Sequence, residues 1–276
     1  MNRLRTWFLA PSWVVTITLF LAPLLIIVFD SALTRGAYGG QSTPWTMENY
    51  SRCFDPLYLA ILLQSFWIAA AATILCLLLG FPLALFISRS GARKNFYLSL
   101  VILPFWTSFL VRTYAWMFLL RDTGLINVAL QKLGVIHTPL PLLYNDGAVI
   151  LGLVYGYLPF MVLPLYATLE RLDKSLLEAS ADLGAKPGAT LAHVTIPLCA
   201  PGIRAGSILV FIPCLGAYLT PDLLGGGKSI MIGNLIQNQF TTARDWPFGS
   251  AVSLLLMAIV MCLLLLFARR DPEGLL

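Results

Sequence analysis

The sequence predicts an all-α integral membrane protein with six transmembrane helices. Three observations carry that prediction: 58% of the 276 residues are hydrophobic, only 11% are charged, and the charges cluster between long uncharged runs. A water-soluble domain carries about 25% charged residues, and a chain with mean hydropathy +0.82 cannot clothe itself in a polar coat. Disorder needs low hydrophobicity, a collagen-like chain a strict glycine period, and a disulfide scaffold dense cysteine. None of these describes the composition.

A helix crosses a bilayer in about 20 apolar residues. The first span, about 7–30, lies in the 24 uncharged residues between Arg5 and Asp30. That run is too long for a signal-peptide core and no small-x-small cleavage site follows, so a retained helix is expected. The second, 57–88, occupies the 33 residues between Asp55 and Arg89, and the third, 96–120, is interrupted by Arg112. The fourth, 147–169, fills the 23 residues between Asp146 and Glu170; the fifth, 204–222, has only 17 between Arg204 and Asp222. The sixth, 246–268, has 23 between Asp245 and Arg269. Pro82, Pro104, Pro159, Pro164 and Pro213 fall inside spans, where each removes a backbone donor and tends to kink the helix. Broken backbone in lipid is tolerated where it packs in protein or lines a water-filled path, which points to transport.

Six spans put both termini on one side, and the lysine and arginine bias of short loops sets which side. With the termini cytoplasmic, 11 of the 18 basic residues lie inside: Arg3, Arg5, Arg89, Arg93, Lys94, Arg171, Lys174, Lys186, Arg204, Arg269 and Arg270. The other seven share outer loops with seven acids. The net charge of +5 therefore reflects membrane orientation, and no nucleic-acid partner is expected, because no folded polar face offers a basic patch.

Catalytic chemistry is nearly absent. The two histidines, His137 and His193, are expected on opposite sides of the membrane, and no HExxH or paired metal-ligand spacing occurs. The five cysteines are scattered, form no CxxC and suit packing. Gly225–Gly226–Gly227–Lys228–Ser229 resembles the end of a phosphate loop, but the first glycine of that motif would fall on Asp222. A flexible outer turn is expected there, and no ATP site.

The long inner loop, residues 170–203, is the only sizeable cytoplasmic segment. Ser175 followed by Glu178 forms a capping box, so a helix is expected to start there, and Gly184 with Lys186 and Pro187 should stop it. A second short helix, about 188–195, should end at Pro197 and Pro201. Asp173, Glu178 and Asp182 disfavour a helix lying on anionic lipid. The small residues Ala179, Ser180, Ala181 and Ala185 suit close docking against a cytosolic protein.

The pattern Glu178–Ala179–Ser180, three residues, Gly184, nine residues, then Val194, Ile196 and Pro197 resembles the EAA loop of ABC-importer permeases, with Ser180 in place of the third alanine. DPLY at 55–58, LPFWTSFLVRTYAW at 103–116, GLVYGYLPFMVLPLY at 152–166, LLGGGKSIMIGN at 223–234 and RDWPFG at 244–249 are similar to the first permease subunit of spermidine/putrescine importers. The resemblance implies one transmembrane permease domain over residues 1–276 with the type I ABC importer fold, in a bacterial inner membrane. It implies import of polyamines or a related amine. The partners would be a second permease subunit of similar fold, two cytosolic ATPase subunits that hold ATP and Mg, and an external solute-binding protein. No cofactor or metal is expected on this chain, and no enzymatic activity.

The resemblance assigns coupling to the ATPase to Glu178, Ala179, Ser180, Asp182, Leu183, Gly184 and Pro197. A polyamine crossing lipid needs carboxylates and aromatic faces in place of its water, which makes Asp222, Tyr218, Trp106, Tyr114 and Trp116 the candidates for the solute path. Arg112 is expected to snorkel outward or pair with an acid. An ion-coupled secondary transporter or channel is the alternative, which would need no cytosolic motor.

Overall fold

The structure, a computed structural model, describes residues 2–270. Residues 1 and 271–276 lie outside it, as do the side chains of Arg3, Arg5, Lys174, Arg269 and Arg270 on which part of the orientation argument rests. In chain order, α1 (Asn2–Ser31) leads to a hairpin of β1 (Leu33–Arg35) and β2 (Gln41–Trp45), then α2 (Glu48–Arg52) and the long α3 (Pro56–Ser88). A 3-10 turn, Gly91–Arg93, opens α4 (Lys94–Ile102), and another, Leu103–Trp106, precedes α5 (Phe109–Leu120) and α6 (Leu125–Lys132). Next come α7 (Asp146–Glu170), α8 (Lys174–Asp182), α9 (Pro187–Thr190), a π-helical segment Leu191–Thr195, α10 (Ile196–Leu198) and α11 (Ala200–Leu215). A π turn, Pro221–Gly225, precedes α12 (Ile232–Thr241) and α13 (Trp246–Arg270).

Among the described residues, four helices are long and apolar enough to cross a membrane, or up to six spans if each of two bent pairs counts as one. The expected continuous third span is broken: Gly91–Trp106 and Phe109–Lys132 meet at 89°. Thr107 and Ser108 leave the helical region with ψ of 151° and 134°, and the Thr107 hydroxyl donates to the Pro104 carbonyl at 2.7 Å, a local bond that competes with the helix ladder. The fifth span also differs from expectation, since its helix runs Ala200–Leu215 and joins Pro187–Leu198 at 66°. Pro159 and Pro164 leave α7 continuous, and Pro82 leaves α3 so.

The chain forms two compact units. One contains the residues up to Ala60 and from Leu235 onward. In it α1 packs on α13, and Arg52 pairs with the buried Asp245 at 3.1 Å while lying 4.2 Å over the Phe248 ring. The hairpin was not foreseen in an all-α chain. Its strands pair Leu33 with Trp45 and Arg35 with Gln41, and Gly39 and Gly40 turn with φ of 89° and 76°, a region L side chains avoid.

The second unit, Ile61–Asn234, has its core on α7 and α11. Gly202 and Gly206 let these helices approach: a Cβ on Gly202 would meet Thr168 Oγ1 at 2.5 Å and the Pro164 carbonyl at 2.9 Å, and one on Gly206 would meet Met161 Sδ at 2.7 Å. Gly80 of α3 lies against Met161 in the same way. Small residues four apart drive this packing in lipid, where apolar side chains gain nothing by leaving the solvent.

Candidate functional site

The loop between α7 and α11 is organised by two local signals. At the start of α8 the Asp173 carboxylate accepts from the Ser175 amide at 2.9 Å. These hydrogen bonds from Ser175 hold its pKa below the ordinary carboxylate range. The expected Ser175–Glu178 capping box is therefore replaced by a cap two residues upstream, because a carboxylate satisfies an orphan helix amide with charge as well as geometry. At the other end Gly184, at φ 78°, donates to the Ala181 carbonyl at 2.9 Å and Ala185 donates to Ser180 at 3.1 Å. This is a Schellman stop, whose left-handed residue favours glycine. Lys186 is extended before Pro187, which begins α9.

Pro197 does not end the second helix. The chain stays helical from Pro187 through Leu198, with the π segment Leu191–Thr195 ahead of the proline absorbing the ladder bond that a residue without an N–H cannot make. Ser180 is buried and its hydroxyl shares a 2.9 Å hydrogen bond with Thr190, which ties α8 to α9. Glu178, Ala179, Asp182, Gly184 and Pro197 are exposed, and Leu183 is 89% exposed. A cavity of about 400 Å³ separates Leu177 and Ala181 on the opposite face from Leu85 and Arg89 at the end of α3.

Among the described residues no side-chain hydrogen bond or ring contact joins the proposed path residues to one another. Trp106 is 84% exposed beside the break, Tyr114 is exposed on α5, and Trp116 is half-buried with its ring edge-on to Tyr155 at 5.6 Å. Tyr218 and Asp222 lie beyond the end of α11, on the link and the π turn that follow it, although the Asp222 amide still donates to the Tyr218 carbonyl at 3.0 Å. Both side chains are exposed.

Arg112 does not pair with an acid among the described residues. Its guanidinium lies 4.5 Å over Phe105 and 5.6 Å from Phe109, and its Nε and Nη1 are buried without a partner. Phe105, Phe109, Tyr155, Tyr157 and Phe160 make an aromatic cluster here that sequence reasoning missed. The spacing of Phe109, Arg112 and Trp116 along one helix face was its only visible trace. The glycine run is a turn: Gly226 and Gly227 take φ of 55° and 79°, and Ser229 donates to the Asp146 carboxylate, which Gln64 also reaches. No group of three metal-binding side chains occurs among the described residues.

A helical bundle with a capped, outward-facing helix in a loop before its penultimate long segment defines a transport permease. The family described as binding-protein-dependent transport system inner membrane component matches residues 77–270, and the chain belongs to it. It is thus a non-enzymatic, multi-pass component of an inner membrane. Among its relatives, the spermidine/putrescine transport system permease protein PotB of Escherichia coli K12 is 45% identical over 250 residues, covering 90% of this chain and 91% of that one. PotB of Haemophilus influenzae is 41% identical over 261 residues, covering 94% and 91%. A crystal structure of a bacterial ABC transporter involved in import of the acidic polysaccharide alginate has a chain of the same fold, with TM-score 0.76, 15% identity and coverage of 99% and 98%.

Proposed function

We propose that this chain is the membrane-spanning subunit of an ATP-driven importer of spermidine, putrescine or a closely related polyamine. The observation that carries the substrate class is the 45% identity with PotB over nine-tenths of the chain. The working arrangement is six spans with both termini and residues 170–203 in the cytoplasm. A second permease of similar fold lies beside it, two ATPase subunits supply ATP and Mg chemistry inside, and a binding protein delivers solute outside. Support for the docking role of α8 comes from its exposed Glu178, Ala179 and Asp182 and from Leu183 just beyond it, which the described residues leave uncovered.

Coupling follows from differential contact. Nucleotide can shift the bundle between its open states only if α8 meets the ATPase differently in each. The stops at both ends of α8 and the Ser180–Thr190 bond make the loop stiff enough to carry that difference to α7 and α11. Reconstitution with a second permease, two ATPase subunits and a solute-binding protein tests the reading. Spermidine or putrescine with the binding protein should stimulate ATP hydrolysis and uptake; stimulation by neither polyamine would overturn the substrate class.

A further inference from the structure

At the C-terminal end of α3 a cavity of about 600 Å³ is lined by Pro82, Leu85, Phe86, Arg89, Ser90, Arg93 and Tyr97. Its volume falls in the roughly 300–1,000 Å³ range of small-molecule sites. Part of the lining is fixed: the Phe86 and Tyr97 rings meet at a tilt of 59° with centroids 5.1 Å apart, and Ser90 is held by its hydroxyl bond to the Phe86 carbonyl at 2.6 Å. The 3-10 turn Gly91–Arg93 puts Arg93 in the lining of the same cavity as Arg89. Neither guanidinium has an acidic partner among the described residues, and no acid lines the cavity. The neighbouring cation, Lys94, is already paired with Glu170.

We propose that this cavity is a binding site for the headgroup of an anionic phospholipid, with Arg89 and Arg93 holding the phosphate and Phe86, Leu85 and Pro82 lying along the acyl chains. Orientation bias accounts for basic residues at this end of α3, but not for a lined cavity between two unpaired ones. Basic pockets between membrane helices take such headgroups, and a soluble anion would leave the apolar wall unused. Arg89 also lines the cavity behind α8, so an occupied headgroup would stand one side chain away from the docking helix.

The assignment of the lipid to the inner leaflet rests on the proposed orientation; the site itself does not. The assembled complex, stripped in detergent and offered phosphatidylglycerol or phosphatidylethanolamine, is read by native mass spectrometry for retained lipid. The wild type should prefer phosphatidylglycerol, and Arg89→Gln with Arg93→Gln should reduce that preference roughly 10- to 30-fold. Lys132→Gln, which removes a charge elsewhere, should leave it intact. Equal retention by the double variant would overturn the site. So would loss of the ATPase subunits from the double variant with phosphatidylglycerol retained, because the arginines would then serve a protein contact. If phosphatidylglycerol is retained but no polyamine drives transport in any lipid, the functional reading falls and the site stands.

Discussion

Gly184 carries two separate demands that substitution can split. Its φ of 78° is a conformation that most L side chains avoid, while open space surrounds the position a Cβ would take. Asparagine tolerates the left-handed region, so Gly184→Asn should keep polyamine-stimulated ATPase activity and uptake close to wild type. Gly184→Trp adds bulk to the docking face and should uncouple the two, with ATP hydrolysis no longer driving uptake in proteoliposomes. Asp173 gives a pH signature. Its folded pKa is depressed by the Ser175 amide, so its contribution is complete above the unfolded value of about 3.9 and is lost as pH falls through the lower folded value. Amide protection of Ser175 should therefore be flat from pH 7 to 5 and fall only in stronger acid, and Asp173→Ala should lower it from pH 7 to 5 while converging with the wild type in stronger acid. For the path, Asp222→Asn should raise the KM for spermidine several-fold in transport assays. Unchanged kinetics would remove Asp222 from the path.

At the scale of the element, the seam between α7 and α11 is set by backbone proximity. Alanine at 202 would drive a methyl group into a helix carbonyl and Thr168 Oγ1, which is held at 3.0 Å by the Pro164 carbonyl. Alanine at 206 meets chiefly the flexible end of Met161. Gly202→Ala should therefore destabilise the protein by about 1–3 kcal/mol. In Gly206→Ala the gain of up to about 1 kcal/mol in helix propensity should offset most of the clash. Thermal unfolding in detergent would rank the two. This seam was present in the sequence as Gly202 and Gly206, four apart, yet composition arguments pass over it because small residues add little to hydropathy. The long uncharged gaps, by contrast, pointed directly to α1, α3, α7 and α13, because charged residues flank each apolar run. The break at Thr107 was illegible for the opposite reason: Pro104 drew attention, while the hydroxyl that leaves the ladder sits three residues on.

On the scale of the whole molecule, the motif that fixed the family was local and the candidate solute path was not. Glu178 through Pro197 is one continuous stretch whose caps and stops are read residue by residue. Trp106, Trp116 and Asp222 stand on separate elements, and which faces meet depends on packing that no spacing rule encodes. The orientation is open to a direct measurement. Cys53, Cys76, Cys199 and Cys214 are buried and only Cys262 is exposed, so a Cys262→Ser background leaves little to react. A cysteine placed at Leu183 should then label with an impermeant maleimide only in inside-out vesicles, and one at Tyr38, 97% exposed in the hairpin turn, only in right-side-out vesicles.

The hydroxyl contact between Ser180 and Thr190 has a mechanical corollary. It bridges the Schellman stop and the extended Lys186, the stretch most able to flex like a knee, so displacement of α8 is passed across the joint instead of being lost in it. Ser180→Ala would put a slipping clutch there, with force still arriving and less of it reaching the far shaft.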